Sequence, residues 1–150
     1  MYPGVEVKQR AGHGWEMTDE RLANRLTDLK SATDRLREAV DEWRADGRPI
    51  IRDSVIKRFE FSFELAWKAT RDWMRVWERD VEPNGPRQVL EVAFARGVVS
   101  DANRWSSMLF NRNLTVHIYS ESEVDDIATW ICANALEVLD ELIDRLSRDG

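Results

Sequence analysis

The stretch VIKRFEFSFELAWKATRDWMRVW, residues 55–77, decides the fold of this chain. Its apolar side chains recur every three or four residues, which is the period of an α-helix. The main stripe consists of Val55, Phe59, Phe63, Ala66, Thr70, Trp73 and Trp77. Ile56, Trp67 and Met74 widen the stripe, so this helix is expected to pack against several helices or against a second subunit. We predict one helix from about residue 51 to residue 79.

The same period predicts a long helix on each side of this stretch. Before it, apolar residues recur from Leu22 to Trp43, with Thr18 as a candidate N-cap and a turn at residues 46–49. After it, a final long helix should reach residue 146. Ser120 and Glu123 have the spacing of a capping box at the start of this last helix.

Two short helices are predicted between the second and the last long helix. Pro86 suits a first helical position, and Gly97 suits the end of that helix. Ser100 or Asp101 should cap the next one, which we expect to end near residue 110. This helix is expected to direct the side chains of Trp105, Met108 and Leu109 toward the core of the bundle.

These patterns together predict an all-α fold, an antiparallel up-and-down bundle of three long and two short helices. The sequence has no strand pattern. Residues 1–17 contain Pro3, Gly4, Gly12 and Gly14 without a sustained period, so they are interpreted as a loose N-terminal tail. Residues 18–150 are then a single helical domain.

Composition limits the function. The formal charge is −6, which argues against general electrostatic binding to nucleic acid, so an RNA site would be a locally basic cleft. No run has the length of a signal peptide or a membrane span, and Cys132 is the single cysteine, so a cytoplasmic protein is expected. No residues have metal-ligand spacing, so no metal is predicted, and no cofactor is expected either. No glycine-rich phosphate loop is present, so the chain itself is not expected to be a nucleotidyltransferase.

The segment NRNLTVHIYS, residues 111–120, combines unusual side chains on what is predicted to be a short connection. Arg112 offers a planar fork for two phosphate oxygens, and His117 can exchange a proton near neutral pH. Together they suit phosphodiester cleavage. Asn113 would orient the phosphate or cap the preceding helix. The spacing alone also fits a helix-terminal arginine followed by a loop histidine that bonds to backbone.

Three segments in order, FEFSFELAWK (59–68), PRQVLEVAFARGVVSD (86–101) and the run from Trp105 to Tyr119, resemble the HEPN superfamily. They resemble more narrowly its nucleotidyltransferase substrate-binding branch, which includes the HepT toxins. The resemblance covers roughly residues 50–146. It implies an up-and-down helical bundle that forms a homodimer, and a minimal nucleotidyltransferase as cognate partner. In toxin–antitoxin members it implies a metal-independent ribonuclease with RNA as substrate, tRNA being one candidate.

The family motif of an arginine, four to six residues and a histidine corresponds to Arg112 and His117, with Asn113 as the polar residue after the arginine. Tyr119 resembles the tyrosine that the partner enzyme adenylylates to silence the nuclease. The resemblance therefore implies a toxin ribonuclease in which His117 transfers protons and Arg112 stabilises the phosphorane. A non-catalytic subunit that binds a substrate for the nucleotidyltransferase is the alternative.

Other candidates have simpler interpretations. Tryptophans 43, 67, 73 and 77 lie on or beside apolar stripes, so core or dimer interface is favoured over stacking on bases. Glu64 and Lys68 have the spacing of a helix-surface ion pair, although the family stretch could place Glu64 near the cleft. Cys132 is expected to be a buried, unreactive thiol. Part of the second helix's apolar face is predicted to contact a second subunit.

Overall fold

The computed structural model describes residues 13–78, 82–117 and 120–148, with side chains described from residue 20 onward. Its helices are α1 His13–Ala45, α2 Pro49–Trp77, α3 Gly85–Ala95, α4 Ala102–Leu114 and α5 Glu121–Leu146, and a 3₁₀ turn, Thr115–His117, follows α4. No strand occurs in these ranges, so the predicted all-α bundle of three long and two short helices is confirmed. Within the same ranges, no helix is both long and apolar enough to span a membrane.

The first helix starts at His13, earlier than the predicted cap at Thr18. Residues 16 and 17 are glutamate and methionine, which both have a high helix propensity. Residues 4–17 contain no proline. The helix therefore continues back into the segment that was predicted to be tail. Residues 1–12, the rest of that segment, lie outside the described residues.

Local capping chemistry sets several helix ends as predicted. The Asp101 carboxylate accepts a hydrogen bond from the backbone N–H of Arg104 at 3.0 Å, so Asp101 and not Ser100 caps α4. Ser120 accepts from the Glu123 N–H at 3.1 Å and starts α5. Beyond α3, Gly97 adopts a φ of +76°, a left-handed conformation that glycine tolerates best.

Helix α2 is the centre of the bundle and contacts each of the other four helices. Phe59, Phe63 and Trp73 are fully enclosed, and Trp67 is also buried. Most of the wide apolar face of α2 therefore packs within one chain, and a second subunit contacting part of this face stays a prediction. Phe61 is the exception, with 62% of its surface exposed.

Charged side chains also tie α2 to its neighbours. The Arg52 guanidinium is buried and pairs with Asp53 at 3.1 Å, Glu121 at 2.6 Å and Asp125 at 3.0 Å. The hydrogen bond to Glu121 is the largest cause that raises the pKa of Arg52 above its ordinary value, so this cation stays charged. These contacts fix the start of α5 against the start of α2. They thereby position the chain just after the predicted site segment.

Candidate functional site

Arg112 and Asn113 lie on the last turn of α4 and not on a connecting loop. The prediction that this helix ends near residue 110 is wrong, because Asn111 is accommodated inside it. The Asn111 side chain is buried and donates to the carbonyl of Ser107 at 2.9 Å, and Leu114 packs against the core. The arginine is thus carried by a helix that is anchored on both sides of it.

The Arg112 guanidinium is held against α2 by a carboxylate. Its Nη2 lies 3.0 Å from Oε1 of Glu64, and its central carbon, Cζ, lies 5.9 Å from the centre of the Phe63 ring. Lys68, one turn along α2, lies 3.4 Å from the other oxygen of Glu64. Glu64 therefore makes both the predicted helix-surface ion pair and a contact with the predicted site arginine.

A second carboxylate from α2 holds the turn that follows. The Thr115 hydroxyl is within hydrogen-bond distance of Glu60 Oε2, and it lies 2.7 Å from the carbonyl of Arg112. Glu60 and Glu64 are one helical turn apart, so they contact two successive parts of the segment that ends α4. This arrangement sets the direction in which the chain leaves α4 toward His117.

These side chains line an open groove of about 440 Å³, which we call the Arg112 groove. Its lining residues are Lys57, Glu60, Phe61, Glu64, Arg112, Asn113 and Val116. Phe61 and Val116 are strongly exposed there, at 62% and 69%. The groove therefore combines two cations, two carboxylates and an apolar rim.

His117 is exposed at the end of the 3₁₀ turn and is not among the lining residues of the groove. Tyr119, the predicted modification site, lies outside the described residues. One chain thus brings together Arg112, Asn113 and Glu64, with Lys68 beside them, and His117 is not part of this group. The segment supplies one imidazole, so a site with two imidazoles, one as acid and one as base, would need this segment from two copies of the chain.

Glu60 and Thr115 are site residues that no sequence pattern indicated. They are 55 residues apart in the chain, and neither belongs to a local motif that predicts their contact. Elsewhere, Cys132 is half-buried, and this burial is the main cause that raises the pKa of its thiol. No group of side chains in the described part of the chain is arranged to hold a metal ion.

Comparisons with known proteins agree with the predicted fold and family. The family model described as nucleotidyltransferase substrate binding protein like matches residues 24–148. A solved structure from Thermus thermophilus is 30% identical, with a TM-score of 0.72, and the match covers 80% of this chain and 99% of that one. A tri-AMPylated Shewanella oneidensis HEPN toxin, solved in complex with an MNT antitoxin, is 19% identical with a TM-score of 0.69. That match covers 84% of this chain and 96% of the toxin. Among curated proteins, no significant match was found.

The fold is therefore that of a HEPN helical bundle. The chain belongs to the nucleotidyltransferase substrate-binding protein family.

Proposed function

We propose that this protein is a metal-independent HEPN endoribonuclease, the toxin subunit of a module whose minimal nucleotidyltransferase silences it by adenylylation. The observation that carries the proposal is the placement of Arg112. Its guanidinium is fixed on a helix turn and opens to a groove, and His117 is exposed five residues further along the same segment. Asn113 lines the same groove and has an amide that can bond to a phosphate oxygen.

The chemistry follows from these groups. An imidazole removes the proton of a 2′-hydroxyl, whose oxygen attacks the adjacent phosphorus and forms a phosphorane with additional negative charge. Arg112 stabilises that charge through its fork. The bond to the 5′-oxygen then breaks, and an imidazolium protonates the leaving oxygen. The products are a 2′,3′-cyclic phosphate and a 5′-hydroxyl end.

This reaction uses two imidazoles, and the chain contains only two histidines, His13 and His117. A two-fold homodimer supplies a second His117. The exposed Phe61 and Val116 at the groove support an interface there, because burying such apolar surface is favourable.

We expect wild-type protein to sediment as a dimer at micromolar concentration, and Phe61→Ser to shift it toward monomer. Phe94→Ser, which alters another exposed phenylalanine, should leave the dimer intact; a monomeric wild type would refute the interface.

The cleavage test uses purified protein with total RNA and tRNA in EDTA. Loss of acid–base help should lower the rate of His117→Ala by roughly 10²–10⁴-fold. Arg112→Lys should also lose activity, because lysine keeps the charge but not the bidentate grip. Arg104→Lys, a comparably exposed arginine paired with Glu137 and Glu141, should cleave at the wild-type rate. Equal cleavage by wild type and His117→Ala would refute the assignment.

The silencing step is tested by co-expression with the cognate nucleotidyltransferase and ATP. Transfer of AMP to the hydroxyl of Tyr119 releases pyrophosphate and places a phosphate and a nucleoside beside the site segment. Intact mass should rise by one AMP unit or more while RNA cleavage falls. The only other tyrosine, Tyr2, offers a matched control. Tyr2→Phe should still be silenced and Tyr119→Phe should not; the reverse result would overturn the assignment.

One observation favours the alternative function, a non-catalytic substrate-binding subunit. Glu64 already forms an ion pair with the guanidinium of Arg112, and Glu60 adds a second carboxylate to the groove. A groove with balanced charge attracts a phosphate chain less than a basic one. If wild type and Glu64→Gln both bind the nucleotidyltransferase but neither cleaves RNA in EDTA, the binding subunit is the correct function.

A further inference from the structure

A row of cations extends along α2 from the Arg112 groove. The row starts beside Glu64, which lines the groove, and continues with Lys68, Arg71 and Arg75. The steps between these four positions are four, three and four residues, so their side chains lie on one face of the helix. At 1.5 Å per residue, the distance along the axis from Glu64 to Arg75 is about 16 Å. Arg25 joins the row from α1, because its Nε lies 3.2 Å from the Asp72 carboxylate. We call Lys68, Arg71, Arg75 and Arg25 the basic row.

A single buried carboxylate organises the three arginines. Asp72 is 1% exposed, and its oxygens lie 3.2 Å from Arg25, 3.2 Å from Arg71 and 3.7 Å from Arg75. Removing a charge from water is costly unless it is paired, which explains why three cations converge on one anion. The cluster keeps a surplus of positive charge, because one carboxylate cannot neutralise three guanidinium groups.

This surplus positive charge reaches the surface. The side chains of Arg25, Arg71, Arg75 and Lys68 are 24%, 18%, 31% and 33% exposed, while the carboxylate between the arginines is enclosed. Trp67 supports two of them, since Arg71 and Lys68 lie 5.3 Å and 5.8 Å from the centre of its ring. A buried ring thus holds cations in place at the surface, which lowers the entropy they lose when they bind an anion.

The carboxylates that face the basic row do not cancel it. Glu64 contacts Lys68 at one end, and Glu82 lies 3.5 Å from Arg75 at the other. Glu82 is 77% exposed, so its attraction for Arg75 is weakened by solvent. On a chain with a net charge of −6, the basic row is therefore a local basic surface that ends at the Arg112 groove.

We propose that the basic row binds the sugar–phosphate backbone of single-stranded RNA and leads it into the Arg112 groove; this rests on the proposed ribonuclease function. Guanidinium groups pair with phosphate oxygens through two parallel hydrogen bonds. A straight row of cations matches a linear polyanion, and its continuity with the groove favours the strand that is cleaved. An acidic protein partner would use the same charges without needing this alignment.

The test measures binding, separately from cleavage. The probe is a fluorescent single-stranded RNA with 2′-O-methyl groups throughout, which has no 2′-hydroxyl nucleophile. Its affinity is measured by anisotropy over a range of salt concentrations. The variant is Lys68→Gln with Arg75→Gln, because Arg25 and Arg71 still neutralise the buried Asp72 and the fold is kept. Circular dichroism verifies the fold, and Arg104→Gln is the control.

Each lost phosphate contact should reduce the slope of log K against log salt by about 0.7 for single strands, so the double variant should lose about 1.4. Arg104→Gln should keep the wild-type slope. An unchanged slope in a folded double variant would overturn the proposal, as would binding to polyglutamate but not to the RNA. If the row binds RNA but RNA is not cleaved in EDTA, only the ribonuclease function fails. If cleavage occurs with an unchanged slope, only the basic row fails.

Discussion

Glu64 controls how much of the Arg112 charge is available to a ligand. Their ion pair is about one-third exposed on each side, so its contribution to stability is small, below about 1 kcal/mol. Glu64→Gln keeps the shape of the side chain but removes its charge. We predict tighter binding of the 2′-O-methyl RNA and a free energy of unfolding within about 1 kcal/mol of wild type.

Anisotropy and thermal unfolding measure the two effects of Glu64→Gln. Glu137→Gln is the control, because it removes a comparable carboxylate from Arg104 on another surface. RNA affinity should be unchanged in this control. Weaker RNA binding by Glu64→Gln would show instead that the carboxylate holds Arg112 in its binding position.

Cys132 illustrates burial acting on a single thiol. Burial raises its pKa above the ordinary value of 9.0, and the charge of Arg44 opposes this only partly. A raised pKa means that the folded state retains the proton more strongly than the unfolded state does. The resulting stability is present below pH 9.0 and is lost as pH rises through the folded pKa.

We therefore predict slow alkylation of Cys132 by iodoacetamide at neutral pH, because the thiolate is the reactive form. The rate should be lower in folded protein than in protein unfolded with guanidinium, and it should rise above pH 9.0. Mass spectrometry over time measures both rates. Rapid alkylation of the folded protein at neutral pH would contradict the effect of burial.

At the scale of helices and turns, the 3₁₀ turn depends on one hydroxyl. Thr115 connects Glu60 of α2 with the carbonyl of Arg112. We predict that Thr115→Val makes the turn more mobile, because valine has the same shape but no hydroxyl proton to donate to Glu60 or to the Arg112 carbonyl. A lost hydrogen bond of this kind is worth about 1–2 kcal/mol, so amide protons of the turn should exchange faster.

Hydrogen-exchange mass spectrometry over α4 and the turn measures this change. Thr115→Ser retains the hydroxyl and should exchange like wild type. Protection that is equal in Thr115→Val and wild type would show that packing alone holds the turn.

Sequence patterns predicted the helices where the chemistry is local. The caps at Asp101 and Ser120 and the glycine at residue 97 depend on neighbours within a few positions, so they were predictable. The end of α4 was not, because Asn111 has a low helix propensity on its own. Its buried contact with Ser107 and the packing of Leu114 outweigh that propensity.

At the scale of the whole molecule, the sequence predicted the class of fold but not which aromatic residues stay outside. Phe61 and Phe63 have similar neighbours in sequence, yet Phe63 is fully buried and Phe61 is mostly exposed. The arrangement of helices around α2 decides between them. The contact of Glu64 with Arg112 was likewise suggested only by resemblance, since the two residues are 48 positions apart.

This difference between Phe61 and Phe63 gives a prediction for stability. Phe63→Ala should lower the free energy of unfolding by about 3–5 kcal/mol, since it leaves a cavity in the core. Phe61→Ala should change it by less than about 0.5 kcal/mol in the monomer. Urea unfolding at a protein concentration below dimer formation measures both values. Similar losses in the two variants would place Phe61 in the core as well.

The separation of the groove into two parts of the chain also affects the order of folding. Residues 46–48 alone connect α1 to α2, so these two helices meet across a short loop and can pair early. The Arg112 groove also requires α4. The contact that closes the groove joins Glu64 of α2 to Arg112 of α4, which lies 48 residues further along the chain. During synthesis the site is therefore completed only after residue 117 has left the ribosome. A nascent chain of this protein should thus lack a complete Arg112 groove until α4 and the turn after it have emerged.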